Sequence, residues 1–127
     1  MRVIRAHKSM NVIRVDLHGV SAHSSLTPQG VNAIEYGAEL IRFVRSAADE
    51  LRASGPYDDA FDVAWTTCSV NLVSGGIAVN TVPPEDCSIT FEFRSISSAG
   101  AADLLERFAA EANRIENLMQ EENPSAP

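Results

Sequence analysis

His23 stands between Ser21 and the pair Ser24 and Ser25, and it is the residue of this sequence best equipped for chemistry. An imidazole can move a proton, donate a hydrogen bond to a developing oxyanion or ligate a metal. On spacing alone it can equally be a surface ring bonded to its neighbouring serines. Two other side chains suit the recognition of a carboxylate. Asn80, between Gly75-Gly76 and Pro83-Pro84, offers an amide that both donates and accepts, with a local Asx-turn as the alternative. Arg94 closes an alternating stretch and can pair bidentately with a carboxylate, or form a surface ion pair with Glu92 or Asp16. Asp16 and His18 share the parity of one strand, but two ligands without a third make a poor zinc site, so no metal ligand is assigned. His7 and His18 receive no role.

The elements that position these groups follow from hydrophobic periodicity. Ile13, Val15 and Leu17 alternate with Arg14, Asp16 and His18, as a strand with one buried face requires. Gly19 permits the exit from that strand, and Pro28 leads towards a helix from Val31 to about Leu51. His23 is thereby placed on a loop between two regular elements, which fix its backbone. The helix carries one apolar face through Val31, Ile34, Ala38, Ile41, Val44, Ala48 and Leu51, and a second ridge through Tyr36, Leu40, Phe43 and Ala47. This surplus predicts a second buried contact. Ser54, Gly55 and Pro56 close the helix.

Phe61 to Val73 reads as a second strand whose phase changes, with a bulge near Thr66 and Thr67; Cys68, Val70 and Leu72 then share a face. A third strand carries Cys87, Ile89, Phe91 and Phe93 on its apolar side. The last helix, capped by Ser97 or Ser98, buries Ala101, Leu105, Phe108, Ala112, Ile115 and Met119. The order β-α-β-β-α predicts an α+β, ferredoxin-like antiparallel sheet with both helices on one face. That fold needs one more strand, so the expectation is a single domain, residues 1–127, excised from a longer two-domain chain.

The chain has 127 residues, 45% of them hydrophobic and 21% charged, which suits one domain with a real core. A formal net charge of -7 argues against nucleic acid or an anionic membrane as partner. No apolar run approaches the ~20 residues needed to span a bilayer, and the charged first ten residues do not read as a signal peptide. The expected setting is cytoplasmic. Cys68 and Cys87 lack metal-type spacing and read as buried free thiols.

Three stretches now combine: Gly19-Val-Ser-Ala-His23-Ser-Ser with Gly30-Val-Asn32-Ala, then Gly75-Gly-Ile-Ala-Val-Asn80-Thr-Val-Pro83, then Phe91-Glu-Phe-Arg94. Together they resemble the dimerisation, or lid, domain of the M20 family of metal-dependent amidohydrolases, and within it the acetylornithine deacetylases, a likeness to which Ala6-His7-Lys8 adds. The resemblance implies a parent enzyme that hydrolyses the amide of a small N-acyl amino acid in arginine biosynthesis. It implies a separate catalytic domain carrying zinc, or cobalt, and a glutamate general base, with no cofactor in this chain. His23 then matches a residue that reaches across a homodimer to stabilise the transition state in the partner's active site, while Asn80 and Arg94 match substrate-positioning groups. From the surplus ridge, the homodimer is expected to form through the first helix and an edge strand, the second strand being the candidate edge. The competing reading is a stand-alone dimeric interaction or ligand-sensing module without catalysis, which fold alone does not separate from the first.

Overall fold

A computed structural model describes residues 9–76, 81–82 and 86–122. Its main sheet has three antiparallel strands, β1 (Ser9–His18), β3 (Thr67–Gly75) and β5 (Asp86–Ser95), in the order β1-β5-β3. A two-residue strand β2 (Ala22–His23) pairs with β4 (Thr81–Val82) in a separate small sheet. Helices α1 (Ala33–Ser54) and α2 (Ser98–Glu122) complete the order. Among the described residues the outer edge of β1 carries no further strand.

The central strand is the most buried because both of its neighbours and both helices cover it. Cys87, Ile89, Phe91 and Phe93 point to the helices and are at most 2% exposed. They meet Leu40, Val44 and Ala47 from α1 and Leu104, Phe108, Ile115 and Met119 from α2 in one core. Phe108 is its aromatic hub: its ring centroid lies 4.9 Å from Phe91, 5.7 Å from Phe93 and 5.9 Å from Phe43. The 73° and 80° interplanar angles to Phe91 and Phe43 place positive ring edges against negative faces. The α+β architecture with both helices on one face is therefore the expected one.

Several local expectations are corrected. Val31 precedes α1; it is fully buried in an isolated bridge with Val20, and Asn32 caps the helix by accepting from the Glu35 amide at 3.1 Å. The ridge of Tyr36, Leu40, Phe43 and Ala47 is consumed within the chain. Leu40 and Ala47 are core residues, Phe43 stacks edge-on with Phe108, and the Tyr36 hydroxyl donates to Glu122 of α2. Above this contact Arg114 joins Glu111 to Glu39, and Arg107 reaches Glu50. The second contact predicted for α1 is α2.

The second strand begins at Thr67 rather than Phe61. Its partner β5 ends at Ser95, so the chain before Thr67 has no ladder to join. Within residues 55–66 the Asp58 amide donates to the Ala64 carbonyl, Tyr57 bridges Trp65, and their rings meet edge to face. The bulge lies farther along, at Asn71, since Val70 opposes Phe91 while Leu72 opposes Thr90. Cys68 and Val70 thus face the helices before it and Val73 after it, whereas Leu72, 66% exposed, turns to the open side of the sheet. On α2, Ser97 is the cap, accepting from the Gly100 amide at 3.0 Å. The buried stripe runs through Leu104 rather than Leu105, which is 43% exposed, because one residue is a 100° step around a helix.

Candidate functional site

The loop carrying His23 is braced along its whole length. At its base Val20 and Val31 exchange both backbone hydrogen bonds, at 2.8 and 3.0 Å. Gly19 allows this closure by its lack of a side chain: a Cβ there would lie 2.1 Å from the Val31 carbonyl oxygen. Midway, Ala22 and His23 pair with Val82 and Thr81. Beyond them Ser24–Gln29 form a 3-10 turn, tied by the Thr27 hydroxyl donating to the Ser24 carbonyl at 2.6 Å and the Gly30 amide donating to the Thr27 carbonyl at 3.0 Å. The capped start of α1 holds the far end.

His23 caps this turn with its own ring. Nδ1 accepts from the Ser25 amide at 3.2 Å and lies 2.7 Å from the Ser25 hydroxyl oxygen, while the residue remains exposed. The serine contact that the sequence admits as an alternative is thus present, and it leaves the other ring nitrogen uncommitted to this bond. Ser25 is the group that sequence reasoning left without a role. The signal was its position two residues after His23, where a short side chain and its amide can reach back to a neighbour.

Asn80 lies outside the described residues, as does His7. Thr81, the next described residue, is opposite His23 in the β2–β4 ladder. Gly76, which follows β3 on the approach to this segment, has φ of 91°, a conformation suited to glycine.

Arg94 is placed elsewhere. It opposes Met10 at the start of β1, whereas the His23 loop leaves from the end of β1, where His18 opposes Asp86. The two pairs are eight positions apart along the strand, about 27 Å at ~3.4 Å per step. Arg94 stands on the open face with its Nε 3.5 Å from Glu92 and its Nη2 3.6 Å from the Met10 sulfur. Its ion-pair partner is therefore Glu92. Asp16 instead accepts from the Ser88 hydroxyl at 2.5 Å and Arg14 Nε at 2.9 Å, and these bonds hold its carboxyl below the usual range.

Among the described residues no three His, Cys, Asp or Glu side chains are grouped to hold a metal. Cys68 and Cys87 are free thiols. Burial pushes Cys68 up to about 11, against a smaller opposing influence of Arg107, and raises Cys87 as well, which suits inert packing rather than nucleophilic chemistry. No helix among the described residues is long and apolar enough to cross a membrane.

Residues 5–119 match the family profile of the peptidase dimerisation domain of M20 enzymes. The chain belongs to this family. The dimerisation domain is similar to acetylornithine deacetylase of Pasteurella multocida, 33% identical over 110 residues that cover 87% of this chain and 28% of that protein. Acetylornithine deacetylase of Salmonella arizonae is 35% identical over 106 residues, covering 82% of this chain and 27% of that protein. In three dimensions the domain superposes on an amidohydrolase/peptidase from Burkholderia cenocepacia with a TM-score of 0.71 and 26% identity, covering 87% of this chain and 25% of that one. The dimerisation domain thus spans little more than a quarter of the length of these curated relatives. Those relatives are hydrolases, and the family's dimerisation role implies an oligomer.

Proposed function

We propose that this chain is the dimerisation and substrate-capping domain of a metal-dependent N-acyl amino-acid deacetylase similar to acetylornithine deacetylase. In that enzyme a separate catalytic domain carries zinc or cobalt and the general base, and the isolated chain hydrolyses no N-acyl amino acid. His23 donates a hydrogen bond to the oxyanion that develops when the amide carbonyl is attacked. Asn80 and Arg94 position the substrate, the guanidinium pairing with a carboxylate.

The observation that carries this reading is that Arg94 lies near the opposite end of the β1–β5 pair from the point where the His23 loop leaves it. The two points of this ten-residue pair are about 27 Å apart at ~3.4 Å per residue, a spacing that argues against both side chains gripping one small amino acid from within one chain. A two-fold dimer resolves the conflict by giving each active site His23 from one subunit and Arg94 from the other. Its interface uses α1 and β3, as the sequence suggests, with different residues. A groove of about 290 Å3 between them is lined by Ile34, Gly37, Ala38, Ile41, Val73 and Gly75. Ile34 and Val73 there are 38% and 62% exposed, and the outer edge of β3 has no partner strand among the described residues.

Complementation tests the reading. In the full-length enzyme His23→Ala lowers turnover about a hundred- to a thousandfold with metal content unchanged. Mixed with subunits whose metal site has been destroyed, it regains activity, because one site of each mixed dimer receives an intact metal and an intact histidine. No recovery despite proven subunit exchange would falsify the cross-subunit role.

A further inference from the structure

The two contacts between His23 and Ser25 decide which nitrogen of the ring carries the proton. An amide N–H can only donate, so at 3.2 Å from the Ser25 amide, Nδ1 must present its lone pair. The Ser25 hydroxyl, 2.7 Å away, can donate to the same lone pair. The opposite tautomer would turn an Nδ1 proton towards the Ser25 amide proton and leave that amide without its acceptor. It is an amide at the start of a 3-10 turn, where no helical carbonyl is available to it.

We propose that Ser25 is a positioning residue that holds His23 in the Nε2–H tautomer, making the ring a hydrogen-bond donor towards the substrate and not a general base. A base needs a free lone pair on the nitrogen that meets the substrate; here the basic lone pair of the ring is on Nδ1, engaged by Ser25, and Nε2 carries the proton. The ring then meets a substrate oxygen with a proton in place, and no proton need move for it to stabilise negative charge. The braces around the loop make this an aim as well as a tautomer. The Val20–Val31 bridge, the β2–β4 ladder and the Thr27–Ser24 bond fix the backbone on both sides of the ring, and Ser25 fixes the rotation of the ring itself.

This inference deepens the proposed role of His23 and rests on that role only for its catalytic consequence. The tautomer is read directly by long-range proton–nitrogen correlation of the imidazoles in the 15N-labelled 127-residue chain, with His23 assigned from the His23→Ala spectrum. In its neutral form His23 is expected to show the Nε2–H pattern alone, without the minor form seen in a blocked histidine peptide. Ser25→Pro, which removes the amide proton, and Ser25→Ala, which keeps it but removes the hydroxyl, shift the ring towards the peptide mixture, the former further. Ser25→Thr, which keeps both donors, retains the single tautomer. An Nδ1–H ring, or a peptide-like mixture in the unmodified chain, overturns the inference whatever the variants do.

In the full-length enzyme Ser25→Ala is expected to lower kcat on the order of tenfold with little change in KM, and Ser25→Thr to restore it. Failure of the two readings is distinguishable. A fully active His23→Ala enzyme would remove the catalytic role and leave the tautomer standing, whereas a mixed tautomer would remove the role of Ser25 and leave His23 in place.

Discussion

His23 and Thr81 stand opposite one another in an antiparallel ladder only two residues long. This pairing joins the loop that leaves β1 to the segment that returns to β5. Neither loop belongs to the main sheet. The ladder can therefore be broken without dismantling the core.

Thr81→Pro makes that separation measurable. Proline removes a backbone donor and resists ladder pairing, while every strand of the main sheet keeps its partner. The expected result is a near-unchanged thermal melt of the chain and a drop in turnover of the full-length enzyme on the order of ten- to a hundredfold. Equal turnover would mean that the ladder does not position the histidine.

The two ridges of α1 predict opposite outcomes. Leu40→Ala opens a hole in the core and is expected to cost about 2–5 kcal/mol in denaturant unfolding; Leu40→Glu is expected not to fold. Ile34→Glu with Val73→Glu changes residues that are 38% and 62% exposed, so the chain stays folded and becomes monomeric in light scattering. A folded dimer carrying both charges would move the interface away from the α1–β3 groove.

Gly19→Ala probes the base of the loop. Because its Cβ would fall 2.1 Å from the Val31 carbonyl oxygen, the Val20–Val31 bridge must part. A loss of about 1–3 kcal/mol is expected, read as a lower urea midpoint, and slower turnover should accompany it. An unchanged midpoint would show that the loop base yields freely.

Tyr36 marks the α1–α2 contact with an alkaline signature. Its hydrogen bond to the Glu122 carboxylate, then partial burial, push the phenol up to about 12. Because the folded value lies above the ordinary one near 10, the contact contributes fully below about pH 10 and is lost as pH rises through about 12. Tyrosinate absorbance should show a transition there that moves down in Glu122→Gln, and Tyr36→Phe should flatten the loss of melting temperature across that window. A Tyr36 transition insensitive to Glu122→Gln would remove the contact from solution.

Much of this protein is written in local periodicity. Alternation in Ile13, Val15 and Leu17, and again in Cys87 through Phe93, specifies strands with one buried face, since successive side chains of a strand must point to opposite sides. The three- and four-residue spacing of both helices, the Gly55 stop and the loop position of His23 follow from equally local rules, and the motifs around His23, Asn80 and Arg94 carry the family. What the tertiary structure decided was pairing between distant elements. Two ridges of α1 look alike along the sequence, and only the placement of α2 buries one and leaves Ile34 on the other partly open. β3 begins at Thr67 because β5 ends at Ser95, and the bulge falls at Asn71, between Val70 opposite Phe91 and Leu72 opposite Thr90. The same register carried Arg94 away from the strand end where the His23 loop departs, and the β2–β4 ladder brought Thr81 opposite His23. Periodicity reports which way a side chain points within its own element; which element it meets depends on how strands align and helices stack, and that is settled only when the whole core closes.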